Sequence, residues 1–323
     1  MVVARILTLT LSLAVALVAV ELAVRTVEHL TDFDESAVFA DGAHQSETRR
    51  SANPVLVWEL DPAGAEVNAA GFRDREVRRA PAPGVVRVAL LGDSVAFGHG
   101  VPMEQGVADQ LERALGTGYE VLNFGVGGYN TRQTAEHYVT RVRRYEPDVV
   151  VLLYVLNDAL PAERMAALAD LVAHIRGQPE SPPLGLHLVS HASRGLDVLR
   201  GQDAEATAPY VRETHGQEHS WRMVERGLER IGLVAKEDGA RLLLAIVPLL
   251  FDLDPYAFED VHAQVADAGR RKGFAVMDLT GELRDYAPAA LRLDPRDVSH
   301  PNALGHRLIA EALAPEVVRL SLP

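Results

Sequence analysis

From residue 85 onward the apolar positions fall into two rhythms. Short, β-branched apolar runs of strand length recur, and between them lie longer stretches whose apolar residues return at helical spacing. The runs predict strands over 85–91, 119–124, 148–153, 241–247 and 274–279. The stretches between and after them predict helices over 107–115, 131–145, 220–238, 258–272 and 302–313. Strands alternating with helices imply an α/β domain with a parallel sheet and helices on both faces. No internal repeat is visible. Residues 159–219 break the rhythm, with a helix-like part over 162–175, then Pro179, Pro182 and Pro183 among many Gly and His. That is too long for a plain connection between a strand and its neighbour. Leaving from the end of the third strand, it is expected to cover the site there or to be a disordered excursion.

The chain before residue 85 follows another pattern. Residues 6–20 carry no charge and are flanked by Arg5 and Glu21. At ~1.5 Å per residue this run falls short of the ~30 Å hydrocarbon core, but flanking charges at the interfaces extend it to 2–24. Three readings stay open for residues 1–30: a signal anchor in the membrane, a cleaved signal peptide, or a buried helix. Ala14-Val15-Ala16 has the small-x-small form of a cleavage site, though it lies inside the apolar run. Residues 31–53 are polar and form a tether. Residues 54–84 hold Trp58, Phe72 and the turn Asn68-Ala69-Ala70-Gly71-Phe72-Arg73, and read as an extended lead-in packed on the domain. The expected organisation is thus 1–30, 31–84 and an α/β domain over 85–323 with the insertion 159–219. If 1–30 is an anchor, that domain lies outside the membrane; if it is cleaved, the domain is secreted.

Composition narrows the function. The net charge is -13, and no Lys/Arg-rich run is present. Nucleic acid is therefore excluded as a partner, since phosphate binding calls for a basic face. Cys is absent, which removes disulfides, a thiol nucleophile and thiolate metal ligands. No Gly-x-Gly-x-x-Gly, P-loop or zinc signature occurs, so neither a cofactor nor a metal is expected. Nothing in the sequence fixes an oligomeric state.

Four polar blocks fall at element ends. The first strand runs into Gly92-Asp93-Ser94, the second into Asn123-Phe124-Gly125-Val126-Gly127-Gly128-Tyr129-Asn130-Thr131, and the third into Leu156-Asn157-Asp158. The fourth, Asp297-Val298-Ser299-His300-Pro301-Asn302, precedes the last helix. Acyl transfer by serine needs a nucleophile, a base, a group orienting that base, and donors aimed at the oxyanion. Ser94 fits the nucleophile, His300 the base and Asp297 its orienter. The backbone N–H groups of Ser94 and Gly128, with the Asn157 amide, fit an oxyanion hole. Pro301 suits the first position of the following helix. Each block has a plainer reading: Asp93 and Ser94 as a helix cap, 123–128 as a Gly-rich turn, Asn157-Asp158 as a cap, His300 as a surface residue. His99 reads as a loop residue near the nucleophile. Glu259 and His262 read as a solvated helix face. Leu242-Leu243-Leu244 and Leu249-Leu250 read as core or packing residues before an acyl pocket.

Together the blocks resemble the SGNH, or GDSL-type, esterase and acyltransferase superfamily, named for a Ser, a Gly, an Asn and a His. Ser94, Gly128, Asn157 and His300 match them over residues 85–323. The apolar amino terminus and the Gly-Phe-Arg lead-in resemble a membrane-tethered bacterial branch. The third block departs from the usual Gly-x-Asn-Asp: Val155 stands at the Gly position, so altered local packing is expected. The resemblance implies a flavodoxin-like three-layer α/β/α sandwich. It also implies a serine esterase acting on an O-acyl ester of a carbohydrate, an envelope component or a lipid-like molecule. The same triad serves an O-acyltransferase, and the same cleft a non-catalytic carbohydrate- or envelope-binding module.

Overall fold

The computed structural model describes residues 48–162, 204–295 and 297–322. The expected amino-terminal helix and most of the tether lie outside these residues. Among the described residues no helix is long and apolar enough to cross a membrane.

The core is a five-stranded parallel sheet of strands β3 (Val86–Leu91), β4 (Tyr119–Asn123), β5 (Val149–Tyr154), β6 (Arg241–Ile246) and β7 (Ala275–Asp278), in the order β4-β3-β5-β6-β7. Every residue of β5 is buried, as a strand covered on both faces requires. The edge strand β7 is only half buried, which is why its run is the least apolar. The first sheet strand in the chain, β3, pairs with the second on one side and the third on the other. The chain therefore reverses direction across the sheet between β3 and β5, and ligands of doubly wound sheets bind outside the carboxyl ends of such a pair.

Helices cover both faces. Helix α1 (Ser94–Phe97) follows β3 directly, and α2 (Val107–Leu115) leads to β4. Helix α3 (Thr131–Thr140) leads to β5, and α4 (Ala204–Gly216) and α5 (Glu218–Asp238) lead to β6. Helix α6 (Glu259–Arg271) leads to β7; the short α7 (Thr280–Leu283) and α8 (Pro288–Leu291) precede α9 (Ala303–Ser321). Helix α9 packs on α2, while α3, α5 and α6 pack in sequence. Right-handed crossovers put these two sets on opposite faces.

Several elements differ from expectation for identifiable reasons. The helix expected over 131–145 ends at Thr140 and tightens into a 3-10 turn, Val142–Tyr145. Helix α9 runs through Pro315 to Ser321, because Leu313 and Val317 on either side of it are both fully buried. That packing outweighs the hydrogen bond proline removes. Of the long insertion, residues 163–203 lie outside the described residues. Its described end is α4, a helix docked on the core through Val211 and through His215, whose Nε2 is 2.9 Å from the Tyr154 hydroxyl.

The lead-in packs on the domain as expected, and adds a small hairpin of β1 (Thr48–Arg50) and β2 (Trp58–Leu60). Asn68 shapes its turn by accepting the Ala70 and Phe72 N–H groups at 3.0 and 3.1 Å. Phe72 then sits edge-on to Phe124 and Tyr145 in the core.

One cation is embedded in the sheet. Arg87 is 1% exposed; its Nε donates to Glu120 at 2.7 Å and its Nη1 to the Tyr145 carbonyl at 2.5 Å. Arg87→Met keeps the apolar stem but strips both donors. Urea unfolding of the variant is expected to show a loss of about 3 kcal/mol, the low end for breaking a buried pair because Glu120 is partly solvated. A change below about 0.5 kcal/mol, the level of an ordinary surface substitution, would contradict this reading of the sheet.

Candidate active site

Strand β3 ends in a turn only glycine allows. Gly92 has φ +147°, and a Cβ there would lie 2.7 Å from the Leu153 carbonyl oxygen. Asp93 follows as the cap of α1, its Oδ1 accepting the Val95 N–H at 3.0 Å. Ser94 is thus the first residue of α1. The far end of this short helix is held by Arg73 from the lead-in. Its Nη1 donates to the Phe97 and Gly98 carbonyls at 2.8 and 2.9 Å, and its Nη2 to Val101 at 2.7 Å. Glu66 accepts from Nε at 2.8 Å.

A line of hydrogen bonds runs from the end of β3 to the loop before α9. His300 Nε2 is 2.9 Å from Ser94 Oγ, and His300 Nδ1 is 2.7 Å from Asp297 Oδ2. Asp297 Oδ1 accepts the backbone N–H groups of Ser299 and His300 at 2.9 and 3.0 Å. The loop is pinned at several points. Leu250 N–H donates to the Val298 carbonyl at 2.7 Å, and Leu293 N–H to the His300 carbonyl at 2.9 Å. Pro301 is not the first residue of the helix, contrary to expectation. Asn302 is the cap, accepting from Leu304 and Gly305, and Pro301 pairs with Arg292 ahead of it.

Burial disfavours the charged imidazole of His300, yet the bond and charge of Asp297, with the charge of Asp93, outweigh it and hold His300 above the ordinary histidine range. For Asp297 burial likewise favours the neutral form; the His300 bond and charge and the two backbone donors prevail and hold its carboxyl low. The pair therefore favours imidazolium beside carboxylate, the state in which His300 has received a proton.

The candidate oxyanion donors besides Ser94 lie on the loops after β4 and β5, the strands on either side of β3. After β4, the loop 124–130 bonds back to the nucleophile turn through Val126 N–H and the Gly92 carbonyl at 3.2 Å. Gly128 has φ +76°, a conformation rarely open to other residues. Among the described residues, neither the Ser94 nor the Gly128 N–H donates to a protein acceptor. After β5, Asn157 lies on a 3-10 turn, Leu156–Ala159, and its Nδ2 donates to Asp93 Oδ2 at 2.9 Å. One amide hydrogen is thereby used and the other remains. Val155 is extended (φ -114°, ψ 153°) and buried, so the residue standing at the usual Gly position brings no backbone strain. The adjacent Asp158 is 1% exposed, and burial plus the charge of Asp93 push its carboxyl well above the usual range.

The other candidates resolve differently. His99 is exposed, yet its ring centroid lies 4.6 Å from that of His300. His262 is a correction: it is 1% exposed rather than solvated, with Nδ1 3.0 Å from Asp278 and Nε2 3.3 Å from the Tyr256 hydroxyl, while Glu259 alone faces solvent. Among the described residues no group of three or more His, Asp or Glu side chains could hold a metal ion. Leu242, Leu243 and Leu244 are sheet core, and Leu249 and Leu250 are buried beside them. Beyond the Gly-Phe-Arg lead-in nothing in the sequence marks Arg73, because its partners lie 24–28 residues away.

Comparison with known proteins bears on this geometry. An acetylxylan esterase from Xylanibacter ruminicola is 34% identical over 90 residues, covering 25% of this chain and 19% of that protein. The chain thus matches only about a fifth of that relative's length. An acetylxylan esterase from Geobacillus stearothermophilus, solved as a catalytic mutant, is 17% identical with a TM-score of 0.46, over 74% of this chain and 95% of that one. A two-domain esterase active on acetylated mannans is 16% identical with a TM-score of 0.44, over 73% of this chain and 50% of that one. The model of the GDSL-like lipase/acylhydrolase family matches residues 90–308, which take in the end of β3, strands β4 to β7, the loops at the carboxyl edge of the sheet and the Asp297–His300 turn. With most of its length so matched, the chain belongs to the GDSL-like lipase/acylhydrolase family.

Proposed function

We propose that this protein is a serine ester hydrolase that removes O-acyl groups through an acyl-enzyme. The observation that carries the proposal is the unbroken line from Asp297 through His300 to Ser94, with both contacts at hydrogen-bond length. Asp297 fixes the proton on His300 Nδ1 and leaves Nε2 free to accept. As Ser94 Oγ attacks the ester carbonyl, its proton passes to Nε2, and the resulting imidazolium is stabilised by Asp297. The oxyanion is received by the Ser94 and Gly128 N–H groups and the second Asn157 amide hydrogen. The leaving alkoxide takes the proton from His300. Water then repeats the sequence: His300 accepts its proton, the hydroxyl attacks the acyl carbon, and Ser94 leaves with the proton returned. Asp93 Oδ2, 3.2 Å from Ser94 Oγ, is the more distant of the two acceptors for that hydroxyl.

The substrate class in this proposal is an acetylated carbohydrate. The name of the Xylanibacter ruminicola acetylxylan esterase supports it. The uncharged run 6–20 supports a further part of the proposal, a membrane tether with the catalytic domain exported.

Ser94→Ala is expected to lower kcat/KM for an acetyl ester by roughly 10⁴-fold or more, because nucleophile and base act as a unit. Its circular dichroism should match that of the parent protein. Turnover within about tenfold of the parent would overturn the assignment.

The pH profile gives a second test. His300 must be neutral to accept the serine proton, so kcat/KM falls as pH drops through its raised pKa. Asp297→Asn removes the hydrogen bond and the charge that do most to raise it, and leaves burial, which lowers it, opposed only by the charge of Asp93. The acid limb is therefore expected to move to lower pH, with kcat reduced roughly 10³–10⁴-fold. A limb that stays in place, or moves upward, would contradict the assigned pair.

A further inference from the structure

The loop bearing Gly128 is held from outside the segment that defines the family. Trp58 lies on β2, ahead of residues 90–308. Its indole Nε1–H donates to the Gly127 carbonyl at 3.1 Å. Its six-membered ring lies against Gly128, where an added Cβ would sit 3.3 Å from Cζ2.

The Gly127 carbonyl and the Gly128 N–H belong to one peptide unit. A trans peptide is planar, so its C=O and N–H point in opposite directions. Fixing the carbonyl on Trp58 therefore aims the N–H away from the indole. A Gly-Gly peptide has little intrinsic preference between its two faces, since both flanking residues accept left- and right-handed conformations. Something outside the loop must choose, and the indole N–H makes the one side-chain hydrogen bond described at this peptide.

The backbone beside Trp58 is strained to make that contact. Val57 has φ +65°, an outlier for a β-branched residue. It forms the centre of a γ-turn in which Trp58 N–H donates to the Leu56 carbonyl at 2.8 Å. The turn is held on both sides. Ser51 N–H donates to the Val57 carbonyl at 3.0 Å, and Gln133 Nε2 to the Leu56 carbonyl at 2.8 Å. The Tyr129 hydroxyl, next to Gly128, donates to the Trp58 carbonyl at 2.5 Å. Strain of this kind persists only where the surroundings over-determine it. Here the surroundings are Ser51 in the hairpin, the loop bearing Gly128 and the helix that follows it.

We propose that Trp58 is a positioning residue: its indole N–H locks the Gly127–Gly128 peptide in the orientation that presents the Gly128 N–H to the oxyanion. This rests on Gly128 being an oxyanion donor. The lock acts on the tetrahedral state, where the oxyanion is held, and leaves ground-state binding and the proton chemistry of His300 alone.

The test uses the full chain with Trp58→Phe, which keeps an aromatic ring and loses the N–H. Replacement of Trp58 by 3-benzothienylalanine, which keeps the shape of the indole, serves as a second variant should Phe repack. Acetyl ester kinetics, the inhibition constant of a boronic acid that forms a tetrahedral serine adduct, the pH profile and Tm are measured for both, alongside Ser94→Ala and Asn157→Ala. The expected result is a kcat reduced about 10- to 100-fold, below the full cost of losing one donor, with KM within about twofold. Boronate affinity should weaken in parallel with kcat/KM, and the acid limb should stay in place. A kcat within about twofold of the parent in the benzothienyl variant, or a loss confined to KM, would overturn the positioning role. If Ser94→Ala and Asn157→Ala still lose activity in that case, the esterase assignment stands and the Trp58 lock alone falls. An active Ser94→Ala would overturn both.

Discussion

One buried carboxylate ties the site together. Asp93 is 1% exposed, and a carboxyl group that deep is tolerated only when its oxygens are satisfied. Oδ1 accepts the Val95 N–H and so starts α1; Oδ2 accepts the Asn157 amide and so joins the end of β5 to the end of β3. Ser94 Oγ lies 3.2 Å from the same oxygen. These bonds fix α1, which begins at Ser94, and Asn157 relative to each other without calling on His300. They depend on Gly92, whose backbone conformation lets the chain turn against Leu153. Asp158 is buried alongside, and burial together with the charge of Asp93 raises its carboxyl pKa well above the usual range.

The lead-in completes the arrangement. Arg73 supplies cationic donors to the carbonyls that end α1, where the helix dipole is negative. Trp58 grips the glycine loop opposite. Residues 48–84 are therefore a working part of the site's architecture, although the bonds described for Arg73 and the Trp58 turn reach up to 77 residues along the chain.

Legibility in the sequence followed burial and locality. Strands β3, β5 and β6 stood out because a strand covered on both faces is apolar over most of its length, Arg87 in β3 and Arg241 at the start of β6 being the exceptions. The hairpin β1–β2 did not, being three residues a side with Arg49 and Arg50 facing solvent. The candidate triad was legible because Ser94, Asp297 and His300 sit in short polar loops at element ends, where little else explains them. His262 was misread because its charge type was weighed above its position, three residues before the buried Val265 and on the same helix face. Arg73 and Trp58 were invisible as site residues because only folding brings them to α1 and to Gly127. The plain reading of Asp93 as a helix cap was right as far as it went; its second oxygen, bonded across to β5, belongs to the tertiary structure alone.

The account stands on Ser94 being the nucleophile, and covalent capture tests that most directly. The protein is treated with a fluorophosphonate probe, which displaces fluoride and bonds to an activated serine, and the adduct is located by peptide mass mapping. The account predicts one adduct, on Ser94, and little labelling after His300→Ala, since the hydroxyl then lacks its base. An adduct on another serine, or full labelling of Ser94 without His300, would contradict it.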